Sequence, residues 1–215
     1  MNIQNDSIIL VDKPQGITSF GVVARIRHQL SQQLGKKAKV GHTGTLDPFA
    51  TGLMIIVTGK MCKQASQYTK LDKTYQATFV LGKTSSTADV EGKLRRINSQ
   101  QPSRTTIEAV MDCFLGEMWQ TPPIFSAIKI NGQRAYNLAR QGKSFEIPRR
   151  RIMIYDLEII DYNYPQLTIR VAVSSGTYVR SLAVDLGKML GTGAYCQQLR
   201  RLSIADYNIS QAQVL

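Results

Sequence analysis

Residues 74 to 82 read TYQATFVLG, and they decide the fold class. Tyr75, Ala77, Phe79 and Leu81 alternate with Thr74, Gln76 and Thr78, the period of two that puts each set on its own face of a β-strand. Outward from there, strand-like runs predominate. SIILVD (7–12) is a short buried strand closed by Lys13-Pro14, since proline has no N–H to give a ladder. LMIIVTG (53–59) is a compact apolar run ending at Gly59, and further strands fall near 152–160 and 167–173, the second alternating Leu167, Ile169, Val171 and Val173. Helical spacing occurs in TSFGVVARIRHQL, where Thr18 or Ser19 caps a face of Val22, Val23, Ile26 and Leu30. It recurs near 105–115 (Ile107, Val110, Met111, Phe114) and after SSGTYVR (Val179, Leu182, Ala183, Leu186, Leu190). Strands outnumber helices and mostly follow one another. The expected fold is therefore α+β, a mixed, mainly antiparallel central sheet flanked by helices and loops.

The segment from 121 to 152 breaks this pattern. It begins with two prolines, carries many cations and ends in IPRRRI, which suits an insertion projecting from the core of one domain over 1–215. No signal peptide and no apolar run long enough for a membrane span are evident, so a cytoplasmic protein is expected. Cys62, Cys113 and Cys196 are odd in number and far apart, pointing to a reducing compartment and buried thiols. With His28 and His42 as the sole imidazoles, no metal site is expected.

Charge gives the first functional pointer. The chain has 27 Lys and Arg against 15 Asp and Glu, a net charge of +12. Such a surplus suits a polyanionic partner, nucleic acid before membrane. Arg25, Arg27, Lys36, Lys37 and Lys39 form one acid-free cluster. Lys129, Arg134, Arg140, Lys143, Arg149, Arg150 and Arg151 form a second, with Glu146 alone opposing them. A charge run is often only a solvated face, but two of them in so basic a chain favour a phosphate-contacting surface.

Two phosphate-loop look-alikes, Gly82-Lys83-Thr84 and Gly142-Lys143-Ser144, lack the leading glycine and are chance matches. That leaves GHTGTLDP (41–48), a stretch with little to give a core. Asp47 before Pro48 suits a structural turn, since proline holds the preceding residue extended. Equally, Gly41, Gly44 and Gly52 let the backbone come close to a ligand, and a carboxylate on such a loop is a nucleophile if a cation orients it. Tyr75 taken alone reads as core, and His42 as a turn histidine. Arg180 lies in the first turn of a helix, where the macrodipole opposes its charge, so it needs a carboxylate; Asp47 could supply it.

Taken together, VDKPQGITS (11–19), GHTGTLDPFATGLMIIVTGK (41–60), DKTYQATFVLGKTSSTADVEG (72–92), TPPIFSAIKINGQRAYNLARQG (121–142), SSGTYVRSLAVDLG (174–187) and LRRLSIADY (199–207) resemble one family, the bacterial tRNA pseudouridine-55 synthases of the TruB type. The blocks cover nearly the whole chain in order. The resemblance implies an isomerase that flips uridine 55 out of the tRNA T-loop and joins its uracil back through C5, with no cofactor and no metal. Asp47 falls on the nucleophile, Arg180 on its paired arginine, and Tyr75 on the tyrosine that stacks on uracil and is a candidate for proton transfer. Tyr178 and Leu199 match residues lining the base pocket, and His42 the histidine near the gap left by the flipped base. Lys13-Pro14 match a motif supporting the active-site loop. Lys13, Lys36, Lys37, Lys39, Lys129, Arg134, Arg140, Arg149, Arg150 and Arg151 are candidate contacts to the RNA backbone, and 121–152 corresponds to the family's RNA-clasping insertion. Two departures stand out. Met61-Cys62-Lys63 replaces an alanine-threonine-lysine step, and the additional RNA-binding domain of the PUA type that the family usually carries is expected to be lacking after Leu215. The expected partner is the tRNA T-arm, bound by a monomer. A synthase acting on another RNA, and an RNA-binding or chaperone protein on the same fold, are the alternatives.

Overall fold

The stretch TYQATFVLG lies largely in a strand, Lys73–Leu81, in which Tyr75, Ala77, Phe79 and Leu81 are all buried. Thr78 and Val80 are buried as well, so the alternation holds for the first half of the strand and gives way to burial on both faces in the second. The computed structural model describes residues 3–215, and its contacts divide the chain into two compact units, 1–76 with 198–215, and 77–197.

In chain order the elements up to the first crossing are β1 Ile8–Lys13, α1 Ser19–Leu34, β2 Val40–His42, β3 Thr51–Thr58, α2 Ala65–Thr69 and β4 Lys73–Leu81. There follow β5 Lys83–Ser85, β6 Leu94–Arg96, α3 Arg104–Asp112, β7 Gly116–Gln120, β8 Lys129–Ile130, β9 Gln133–Arg134 and α4 Ala135–Arg140. The last are β10 Arg150–Asn163, β11 Gln166–Val173, α5 Val179–Met189, β12 Ala194–Ile204, β13 Tyr207–Asn208 and β14 Gln213–Val214. Strands β4 and β12 contribute residues to both units.

The first unit carries the strand order β14-β1-β3-β12, with β2 also on β3 and β13 on β12. Both β1–β14 and β3–β12 are parallel; β1–β3, β2–β3 and β12–β13 are antiparallel. Residues Leu53 to Val57 are each at most 1% exposed, which is why this strand reads as an unbroken apolar run rather than an alternation. Burying each such side chain contributes about 1.5–3 kcal/mol. Helix α1 forms as expected: the Thr18 hydroxyl accepts from the Gly21 N–H at 2.9 Å, Val22, Val23, Ile26 and Leu30 are buried, and Gly35 (φ +64°) ends the helix left-handed.

The second unit carries the order β12-β4-β11-β10-β7. Leu167, Ile169, Val171 and Val173 are buried in β11, as their period requires, and β10 pairs antiparallel with both β11 and β7. Helix α3 is capped by Ser103 and buries Ile107 and Met111. The expected insertion opens after β7, but Arg150, Arg151 and Ile152 already belong to β10, in register with Gln120, Trp119 and Met118. Within it Asn131 (φ +48°) and Gly132 (φ +82°) turn the β8–β9 hairpin, the left-handed pair a two-residue loop demands. Of the three thiols expected to be buried, Cys196 is buried and Cys62 half-buried, whereas Cys113 is exposed at the end of α3. Among the described residues no helix is long and apolar enough to cross a membrane.

Candidate active site

Residues 43–50 loop from β2 to β3, and the side chains of three other elements fix that loop's backbone. Ser19, the first residue of α1, donates its hydroxyl to the Leu46 carbonyl at 2.9 Å and accepts the Leu46 N–H at 2.8 Å. Lys13, the last of β1, donates from Nζ to the carbonyls of Ile17 (2.7 Å), Pro14 (2.9 Å) and Pro48 (3.3 Å), and the Gly16 N–H also reaches Pro48 O at 2.8 Å. Arg201, from β12, donates to the Leu53 carbonyl at 2.6 Å and the Gly44 carbonyl at 3.2 Å. The residues on either side of Asp47 are thus held through their main chain, and Asp47 O accepts the Ala50 N–H at 3.1 Å to close the turn. The close approach expected of Gly52 is real but internal: at φ +109° a Cβ there would lie 2.3 Å from the Arg201 carbonyl oxygen.

Lys13 and Arg201 are both fully buried. Burial pushes the Lys13 ammonium down to about 8, the charge of Asp47 acting against that shift and the charge of Arg201 adding to it. Lys13 therefore corrects one expectation. It has no surface to offer an RNA phosphate, and its ammonium is spent on loop carbonyls, as the supporting-motif assignment implied. In the same unit Tyr75 and Leu199 are buried, each 8% exposed, and His42 is half-buried at the end of β2.

In the second unit Arg180 is buried in the first turn of α5 and has the carboxylate its position demands in Asp89, with Nη1 to Oδ2 at 3.1 Å. It also donates to the carbonyls of Thr87 (3.0 Å) and Phe125 (2.8 Å). Asp89 sits between β5 and β6, where its Oδ1 accepts the Thr87 hydroxyl and the Glu91 N–H, and Cys196 N–H holds the neighbouring Ala88 carbonyl. Asp89 was missed as a functional candidate; its signal was the cation's need for a partner together with the TADVEG part of a matching block. Tyr178 is the residue preceding α5 and gives no side-chain cap. The Gln120 amide holds the main chain of Tyr178 itself, accepting its N–H at 2.8 Å and donating to its carbonyl at 3.1 Å.

The cationic clusters are mostly where a polyanion could reach them. Lys36, Lys37, Lys39, Lys129, Arg140, Arg149 and Arg151 are exposed. Arg151 is paired with Glu117 at 2.6 Å, Arg140 lies over the Tyr136 ring, and Arg134, also exposed, donates to the Ala127 carbonyl. Arg150 differs from its neighbours: it is half-buried, with its guanidinium 5.7 Å from the centre of the Tyr178 ring.

The description of the TruB family pseudouridylate synthase N-terminal domain matches residues 31–179. The chain belongs to the TruB family of pseudouridylate synthases. The match takes in Asp47, Tyr75 and Tyr178 and stops one residue short of Arg180. Whole-chain likeness goes further. A tRNA pseudouridine synthase B of Phocaeicola vulgatus is 41% identical over 97% of this chain and 90% of its own length. That of Aquifex aeolicus is 43% identical over 96% of this chain and 71% of its own. Among solved structures, a chain of a Cbf5-Nop10-Gar1 complex superposes with a TM-score of 0.74 at 27% identity, covering 98% of this TruB-family chain, which spans about half (53%) of that one.

Proposed function

We propose that this protein is a tRNA pseudouridine synthase that converts uridine 55 of the T-loop to pseudouridine, working in the cytoplasm as a monomer. Its likeness to tRNA pseudouridine synthase B over nearly its whole length carries the proposal. The reaction breaks the C1′–N1 bond, turns the uracil and bonds C5 to C1′; C5 gives up a proton as N1 takes one, so substrate and product contain the same atoms. Asp47 is the nucleophile. Its loop backbone is fixed by Ser19, Lys13 and Arg201, the preorganisation that keeps a reacting carboxylate at one position. Tyr75 stacks on the extruded uracil and serves the proton transfer, Tyr178 and Leu199 line the base pocket, and His42 approaches the gap the base leaves. Taking the base out of its stack costs a few kcal/mol, which aromatic stacking offsets. Arg180 acts with Asp47. The exposed cations of 36–39 and of the insertion hold phosphates of the T-arm, RNA shape and backbone being what such residues recognise.

The test is release of tritium from C5 of uridine in an unmodified tRNA transcript under single turnover. Wild type should release it from the T-loop alone, and Asp47→Asn should be slower by about 10⁴-fold or more while still binding tRNA. Binding without release by wild type would overturn the enzyme reading and favour an RNA-binding or chaperone role. Release from a different RNA, but not from bare tRNA, would move the substrate rather than the chemistry.

A further inference from the structure

We propose that Gln120 and Arg150 are positioning residues that tie Tyr178 to the two ends of the basic segment 121–149, so that RNA held by the segment sets the orientation of Tyr178. The proposal rests on Tyr178 being a base-pocket residue. Gln120 is the last residue of β7 and Arg150 the first of β10, and the two are direct partners in the antiparallel ladder. The segment therefore leaves and re-enters the sheet at one point, and both gatepost side chains turn to the same tyrosine. Gln120, 1% exposed, uses both ends of its amide on the Tyr178 main chain. Arg150 lies over the Tyr178 ring, with Nη1 3.5 Å from the Gly176 carbonyl, while its buried Nε has no hydrogen-bond partner among the described residues. A guanidinium so placed is held chiefly by the ring face, an attraction that weakens if either partner turns.

The beginning of the segment is fastened to the same helix turn. The Ser181 hydroxyl donates to the Thr121 carbonyl at 2.8 Å, and Arg180 Nη2 to the Phe125 carbonyl at 2.8 Å. Residues 120, 121 and 125 are thus each bound to the start of α5. A displacement of the segment by bound RNA is passed to Tyr178 through these contacts and through Arg150. A structural role alone, in which Gln120 merely braces the chain before α5, would leave Arg150 without a reason to pack on the ring.

The full chain tests this with Arg150→Leu, Arg150→Lys and Gln120→Met. At saturating tRNA, Arg150→Leu and Gln120→Met should slow single-turnover tritium release by about 10- to 100-fold, the loss expected of a slightly misplaced reacting group. Their affinity for tRNA should change much less. Arg150→Lys should remain slow, because an ammonium restores the charge and not the flat stacking surface. In a Tyr178→Leu background, Arg150→Leu should add nothing. Additive losses there, or an Arg150→Leu protein that binds more weakly yet reacts at the wild-type rate when saturated, would overturn the proposal. An independent readout needs no turnover. With 3-fluorotyrosine at the nine tyrosine positions, the ¹⁹F resonance assigned through Tyr178→Phe should shift when a T-arm RNA binds wild type, and should not when it binds Arg150→Leu. A shift in wild type without tritium release would sink the catalytic reading and leave the coupling standing. No shift on binding would sink the coupling itself.

Discussion

The two units hold their key residues in opposite ways. In the first, side chains from α1, β1 and β12 grip the main chain around Asp47: Ser19 takes both polar groups of Leu46, Lys13 takes Pro48 O, and Arg201 takes Gly44 O. In the second, the functional side chain itself is gripped, Arg180 by the Asp89 carboxylate and by two carbonyls. A loop held by its backbone keeps its position when a neighbouring side chain titrates or moves. A charge held by a counter-charge keeps its direction, but only while the counter-charge is present. Damage should therefore look different in the two units: mislocated chemistry with modest loss of stability in the first, and a buried cation deprived of the Asp89 carboxylate in the second.

The largest effect should come from Asp89→Ala. Both members of its ion pair are almost fully buried, with side chains 3% and 4% exposed, so removing the anion takes a counter-charge from a cation that water cannot reach. The expected loss is about 3–5 kcal/mol, read as a lowered urea midpoint at unchanged slope. The double variant Asp89→Leu with Arg180→Met should regain most of that stability and none of the tritium release. A loss below about 1 kcal/mol for Asp89→Ala would mean that the partners remaining to Arg180 suffice, and the contrast between the units would vanish.

Burial is also where the sequence ceased to be legible. The β4 and β11 alternations, the α1 cap and stripe, and the apolar run of β3 could all be read, because apolar side chains announce their own faces. Strand β12 could not. Gln197, Gln198, Arg200 and Arg201 interrupt any apolar pattern there, and Arg201 is nonetheless 1% exposed, its charge satisfied by carbonyls far away in sequence. The same blindness assigned Lys13 to RNA. Composition counts a cation as surface, and only its three carbonyl acceptors show that this one is inside. Asp47 and Arg180 stood out through the company they keep in the chain. Asp89 and Gln120 did not, since what they do depends on partners 91 and 58 residues away.

Lys13 gives a pH test that pulls stability and activity apart. Its folded pKa lies near 8 against an ordinary 10.5, chiefly because burial penalises the ammonium. Below pH 8 that penalty is fully present. Between about 8 and 10.5 the unfolded chain holds a proton that the folded chain has lost, so stability rises with pH, by on the order of 3 kcal/mol across the window. Lys73, also lowered to about 8 by burial, contributes in the same direction. Lys13→Met should therefore flatten the rise in urea midpoint between pH 8 and 10 without abolishing it. Turnover should move the other way. A neutral amine has two N–H groups for three carbonyls, so wild-type tritium release should fall above about pH 8 as the grip on Pro48 loosens. Stability and turnover rising together would show that Lys13 does not hold the loop.

Ser19→Ala should have the smallest effect on stability and is the sharpest test of backbone gripping. The substitution leaves the helix cap at Thr18 untouched and removes one buried hydroxyl. Leu46 then keeps a buried N–H and a buried carbonyl without that partner, at a cost of about 1–2 kcal/mol. Leu46 precedes Asp47, so a small relaxation there displaces the carboxylate, and single-turnover release at saturating tRNA should drop by about 100-fold, or about 2.7 kcal/mol, with affinity unchanged. Such a small loss of stability beside a larger loss of rate is the signature of a residue gripped through its main chain. Equal and small losses in both would place Ser19 among ordinary core contacts, and the rigidity of the Asp47 loop would then have to come from Lys13 and Arg201 alone.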